Sequence, residues 1–412
     1  MSSLKDFPKR VRKPQSSASA PQSTTPMSTA SSEASVENLH RIQQTQIWDQ
    51  WNEARRQQES RKSVQELHND AYRAYRQDQN ELAASLFAQA AEQARQQGDT
   101  AAQAENLYWE GDTLYLDDHL AKALKLFLEA DSLNALDAID GFSNLLNIVK
   151  VAKKLPLPIA EQRKLLEKLE PYKGSQQIGG SKSMVLNLES NLMSNCSMDS
   201  ESLAKSQEAF ASRVSQAPMY DDMNYFEDLV ANYRIAGQYT EARSILQQWK
   251  AEATYDFANE KSRILKAEAR ILYAEGHLGA AWDMVQQVYA EERYIQRAGK
   301  NTGTMSLMIL IGSKLGHFDQ IRPLVLRMLR FRHSESLHTR YSCYLSVARY
   351  CCRVCIHGEM SAKDAARMHR HARFWLQHAE TTARQLDQLL ECDWRTKQIQ
   401  SLRDLYSKTT EI

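Results

Sequence analysis

DAYRAYRQDQNELAASLFAQAAEQA, residues 70–94, decides the fold, because EGDTLYLDDHLAKALKLFLEADSL, residues 110–133, repeats its pattern forty residues later. Ala71 matches Gly111, Tyr75 matches Tyr115, Ala83 matches Ala123, Phe87 matches Phe127 and Ala90 matches Ala130. Each stretch places apolar residues three or four apart on both sides of a short polar break, the pattern of two amphipathic helices joined by a tight turn. Such a hairpin cannot cover its apolar face alone, so copies must stack, with alanines allowing close approach and phenylalanines filling the space between neighbours.

Working outward, the pattern returns in DLVANYRIAGQYTEARSILQQW (228–249), AEARILYAEGHLGAAWDMVQQV (267–288) and LMILIGSKLGHFDQIRPLVLRM (307–328). Their turn glycines Gly237, Gly276 and Gly316 keep the same period, and Ala83, Ala123, Ala242, Ala281 and Ile321 fall at one structural position. The gap from 123 to 242 is nearly three periods, which predicts two degenerate hairpins, over Phe142 to Leu169 and over Met184 to Val214. A further hairpin is expected from Leu337 to Leu389, turning at His357-Gly358, and a last helix after Asp393 closes the stack.

The small residue of the first helix (Ala71, Gly111, Ala269), the turn glycine, and the Ala/Phe pair of the second helix (Ala83/Phe87, Ala123/Phe127) resemble the tetratricopeptide repeat family over about residues 64–335. The period is longer than that family's ~34 residues. Its terminal proline is also missing, the matching residues being Arg95, Ala135, Thr254, Arg293 and His333, so the second helix can run on. The expected fold is all-α, a right-handed α-solenoid of seven to eight stacked hairpins. Residues 1–35 form a disordered Ser/Thr/Pro-rich leader, 36–360 the TPR-like repeats and 361–412 the C-terminal helices that cap them.

Composition supports this reading. Only 14 glycines and 9 prolines punctuate 412 residues, which disfavours sandwiches and barrels. The net charge of +1 hides a segregation, since Asp99 to Asp140 is strongly acidic and Arg293 to Glu380 strongly basic. The longest apolar run, Leu307 to Ile311, is too short to span a bilayer. Six cysteines, four of them between Cys343 and Cys355, suit small apolar side chains in a reducing, cytoplasmic compartment, and the leader keeps organelle targeting or export open.

Catalytic signatures are absent, which predicts a protein that is not an enzyme. GSQQIGGSKS (174–183) is a near miss for a phosphate loop, with Gly180 where the lysine belongs and no strand before it. Cys352-x-x-Cys355, near His357, His369, His371 and His378, lies mid-helix, so no metal and no cofactor are expected. Seven of the eleven histidines fall between His317 and His378, which would make the basic region more positive in acid.

In this resemblance the first helix of each repeat lines the inner wall, which places His68, Tyr72, Tyr75, Tyr108, Asp112 and Tyr115 near one end and Arg263, Lys266 and Arg270 farther along. Tyrosines give rigid contact area and arginines bind carboxylates in forked pairs, so the expected partner is a protein or peptide with an acidic segment, and the expected function a scaffold or adaptor. The chaperone-tail clamp of some members needs Lys and Asn where this chain has His68, Tyr72 and Trp109, so that ligand is not implied. Two other readings stand beside this one. The arginine-rich C-terminal half, with Phe331, Phe374 and Trp375, has the make-up for nucleic acid or an anionic surface, and the opposed ends allow head-to-tail self-association.

Overall fold

The computed structural model describes residues 62–410 except 156, 176–177, 179, 214–218, 254–258 and 295–301, so the expected leader lies outside the described residues. The described residues form 17 α-helices. Sixteen of them pair into eight hairpins: α1 (Val64–Arg76) with α2 (Asn80–Gln97), α3 (Thr100–Leu116) with α4 (Leu120–Ser132), α5 (Ala138–Lys154) with α6 (Ile159–Glu167), and α7 (Ser181–Asn195) with α8 (Asp199–Ala211). The chain continues with α9 (Met219–Ile235) and α10 (Tyr239–Glu252), α11 (Glu260–Ala274) and α12 (Leu278–Tyr294), α13 (Thr302–Leu315) and α14 (Phe318–Met328), then α15 (Leu337–His357) and α16 (Ala362–Leu389). The single helix α17 (Trp394–Thr410) packs on the last pair, α15 and α16.

One turn geometry explains the period. Asp78, Asp118, Ser197, Gly237, Gly276 and Gly316 all have positive φ, between 56° and 86°. The residue after each one donates its N–H to the carbonyl five positions back, as in Gln79 to Ala74 at 3.0 Å, Met198 to Met193 at 3.0 Å and His317 to Gly312 at 2.8 Å. This is the closing bond of a left-handed helix C-cap, for which glycine is favoured and Asp or Ser tolerated. The fourth hairpin thus turns within the segment the sequence pointed to, with Ser197 in the glycine's place.

The core repeats with the turns. Ala83, Ala123, Ser202, Ala242, Ala281 and Ile321 are all fully buried where the second helix meets the first. Ser202, the copy hidden from an apolar pattern, pairs with Ser190, each hydroxyl donating to the other residue's carbonyl at 2.8 and 2.9 Å. Phe87 and Phe127 are completely buried one turn on, each adding about 1.5–3 kcal/mol by leaving water. Gly111 and Gly312 allow the closest helix approaches, since an added Cβ would lie 2.8 Å from the Phe127 ring and 2.5 Å from Ile321.

The first helices of successive hairpins touch each other, whereas the second helices hardly do, so the first helices lie on the inside of the curve. The curve comes round on itself. Ser334 Oγ donates to Asp118 Oδ2 at 2.6 Å, and Glu335 accepts the Ala121 N–H at 2.8 Å, joining the start of α15 to the second hairpin's turn. The Asn195 carbonyl, at the fourth hairpin's turn, accepts from Trp394 Nε1 at 3.3 Å and Arg395 Nη2 at 3.2 Å. Leu390 enters the apolar cluster of Ile159, Leu166 and Leu192. The third hairpin therefore forms part of the seat on which the C-terminal loop rests.

Candidate functional site

The inner wall is built by α1, α3, α5, α7, α9 and α11, and side chains tie α1 to α3, α3 to α5, α7 to α9 and α9 to α11. Tyr75 Oη donates to Asp112 Oδ2 at 2.8 Å, Asn147 Nδ2 to Asp112 Oδ1 at 3.2 Å, and Asn191 Nδ2 to Asp228 Oδ2 at 2.7 Å. Arg263 Nε donates to Glu227 at 2.7 Å and its Nη2 to Asn224 at 2.7 Å.

At the N-terminal end, the expected residues gather round Trp109. Its indole lies 5.2 Å from the Tyr72 ring, 5.6 Å from Tyr75, 5.3 Å from Tyr108 and 6.2 Å from Phe87. These are the edge and offset contacts that aromatic rings prefer. His68 packs its ring edge on Phe87 at 5.6 Å and meets Asn106 Oδ1 at 3.1 Å. Tyr115 carries the Lys154 ammonium over its face at 3.9 Å. Tyr72 is 39% exposed and presents the open face of the cluster, while Tyr75 and Tyr108 are held mainly by their neighbours.

Burial shapes the charges here. It pushes the Tyr75 and Tyr108 phenols up, with Asp112 adding to both. It also raises the Asp112 carboxyl, against the bond from Tyr75 and the charge of Lys150. Glu110 is pushed up to about 7 by burial and then by Glu129.

Arg263, Lys266 and Arg270 are brought together as a set around Glu227. Burial works to raise the Glu227 carboxyl, but Arg263, Arg270 and Lys266 hold it below its ordinary value. Arg270 Nη1 stands 3.6 Å from Glu227, an ionic contact too long for a hydrogen bond. Within the trio, the Arg263 guanidinium is occupied by Glu227 and Asn224, and Lys266 is only 8% exposed. Burial lowers the Lys266 ammonium and brings the neighbouring Arg234 guanidinium down to about 10.

Between the two ends lie residues that sequence reasoning missed: Asn147, Lys150 and Lys153 on α5, Asn191 on α7 and Asp228 on α9. Lys153 is lowered to about 8 by burial, with Asp228 pulling the other way. Their signal was present as polar residues three or four apart on first helices, but the register from 142 to 216 was too weak to place them. No group of three or more His, Cys, Asp or Glu side chains suited to a metal occurs among the described residues. Cys351 and Cys352 are buried in the C-terminal core, and Cys343 Sγ donates to the Met328 carbonyl at 3.0 Å. Gly180 stands at the N-cap of α7, and Ser181 Oγ donates to the Tyr172 carbonyl at 2.6 Å.

Together these hairpins and their shared inner wall define a TPR-like helical-repeat protein. No family model and no curated protein matches the chain. Among solved structures, it is similar to the apo form of the quorum sensor NprR from B. thuringiensis, with 13% identity, a TM-score of 0.40, and coverage of 89% of this chain and 96% of that one. It is also similar to a chain in the structure of Naa15/Naa10 bound to HypK-THB, with 16% identity, a TM-score of 0.26, and coverage of 83% of this chain and 51% of that one, about half its length. Both likenesses are distant, and the fold assignment rests on the hairpins themselves. No helix among the described residues is long and apolar enough to cross a membrane.

Proposed function

We propose that this protein is a non-enzymatic interaction scaffold that holds an extended segment of a protein partner against its inner wall. The observation that carries the reading is the make-up of that wall: an aromatic cluster opening at Tyr72, then a run of amides and cations through Lys150, Lys153, Lys266 and Arg270. Aromatic rings supply contact area and cations select acidic segments, the combination that concentrates binding energy at protein interfaces.

The test is affinity capture of the full-length protein from its native lysate, with and without nuclease, beside the double variant Lys150→Glu/Arg270→Glu. Lys150 is exposed and Arg270 partly so, which lets both charges change without disturbing the core. The expected result is a protein partner that resists nuclease and is lost on charge reversal. Proteins retained only while nucleic acid is intact would move the function to the arginine-rich C-terminal half.

A further inference from the structure

The first helices of the fifth and sixth hairpins concentrate positive charge around Glu227. Arg263, Lys266 and Arg270 act on Glu227, Arg234 lies near Arg270, and the other carboxylate acting on Lys266 among the described residues is Glu292, which accepts from Thr304 Oγ1 at 2.7 Å. Lys266 is more than nine-tenths buried, yet makes no hydrogen bond or ion pair among the described residues. Arg234 Nε is buried without a hydrogen-bond partner. Arg270 reaches Glu227 only at 3.6 Å. Buried cations are costly unless a counter-charge meets them, and here Arg263, Lys266 and Arg270 share Glu227.

The site is held in place by its own bonds. Arg263 is fixed by its two bonds to Glu227 and Asn224, so it spans α9 and α11 as a strut. Lys266 and Arg270 are one turn apart on α11, and Arg234 lies near Arg270 from α9. The donors left over are an ammonium, one guanidinium edge and the far side of a second guanidinium. Oxyanions with several acceptor oxygens match that set. The exposed arginines of the C-terminal half differ in kind, because water already solvates them.

Resting on the scaffold reading, we infer that the wall between α9 and α11 is a subsite for a doubly charged oxyanion group on the partner peptide, either a phosphorylated side chain or two adjacent carboxylates. The resident Glu227 keeps the cations in place while the site is empty and shares them when it fills.

The experiment uses the full-length protein and three labelled peptides of one sequence, carrying phosphoserine, Glu-Glu or Ser-Ser at the centre, with binding read by fluorescence anisotropy at low and moderate salt. Both charged peptides, or the phosphoserine peptide alone, are expected to bind at least tenfold more tightly than the Ser-Ser peptide, with an affinity that falls as salt rises. A preference for phosphoserine identifies the phosphate source, and equal binding identifies the carboxylates. Lys266→Met and, independently, Arg234→Gln should each remove that advantage, whereas Lys266→Arg should keep it and the outer-face control Arg373→Gln should leave it unchanged. Thermal melts confirm that each variant is folded. Charged peptides that bind no better than Ser-Ser, or a preference that survives both Lys266→Met and Arg234→Gln, overturn the inference. The scaffold reading would still stand or fall on its own capture experiment.

Discussion

Gly111→Ala pits two opposing effects against each other, and the structure says which one wins. Glycine inside a helix costs about 1 kcal/mol relative to alanine, so propensity alone makes the variant more stable. The new Cβ, however, would sit 2.8 and 2.9 Å from two carbons of the Phe127 ring. That ring is fully buried against Tyr108 and cannot swing into solvent. Overpacking of this kind costs about 1–3 kcal/mol, so a net loss of about 1 kcal/mol is expected. Phe127→Leu alone should lose about 1–3 kcal/mol. In the double variant the smaller side chain leaves room for the methyl, and the combined loss should fall short of the sum by about 1 kcal/mol. The assay is urea unfolding of the full chain followed by circular dichroism, with hydrogen exchange in α3 and α4 as a local readout in case the array does not unfold in two states. A Gly111→Ala protein more stable than the parent, or effects that simply add, would refute the packing and with it the register of the repeat.

Asp387→Asn should loosen the seam, because Asp387 accepts from Thr396 N at 2.7 Å and Arg395 Nη1 at 3.2 Å, and Arg395 is only 1% exposed. Stranding a buried guanidinium costs about 3–5 kcal/mol, so hydrogen exchange in 390–396 should accelerate and small-angle scattering should show expansion; an unchanged profile would show that the pair does not hold the seam. Glu110 is pushed up to about 7 in the folded chain from an ordinary 4.5, so its ionisation opposes folding. That penalty is absent in acid, grows as pH rises from 4.5 through 7 and is complete above, and Glu110→Gln should therefore gain about 1–3 kcal/mol over the parent at pH 8 and nothing at pH 4. Equal stabilities at pH 8 would contradict it. His338 is lowered to about 4 by burial, aided by Arg395 and Lys153, so its folded pKa lies below its unfolded one. It contributes full stability above 6.5 and loses it as pH falls toward 4, and an imidazole titration by NMR with a midpoint near 6.5 would rule this out.

The hairpins were legible because alanine, glycine and phenylalanine recur at fixed offsets, and the eight pairs with a closing helix fall where the pattern placed them. What stayed hidden had a different cause in each place. Ser190 and Ser202 replace apolar small residues by a hydroxyl clasp, which erases the periodic signal while keeping the geometry. The C-terminal loop docks through contacts some two hundred residues apart, which leave no trace in a single sequence. Charge read along the chain also leaves out its neighbours. Arg263 and Lys266 share one helix face in the sequence, and α9 brings Glu227 against them from a different repeat.

The central claim is that the inner wall holds a protein partner, and photo-crosslinking tests it most directly. A benzophenone side chain placed at Tyr72 or Lys150 looks out from the wall, and one at Leu128 or Phe374 reports other exposed surface. In native lysate, the account predicts one protein adduct shared by Tyr72 and Lys150 and missing from Leu128 and Phe374. Adducts formed only from Phe374, or with nucleic acid rather than protein, would contradict it.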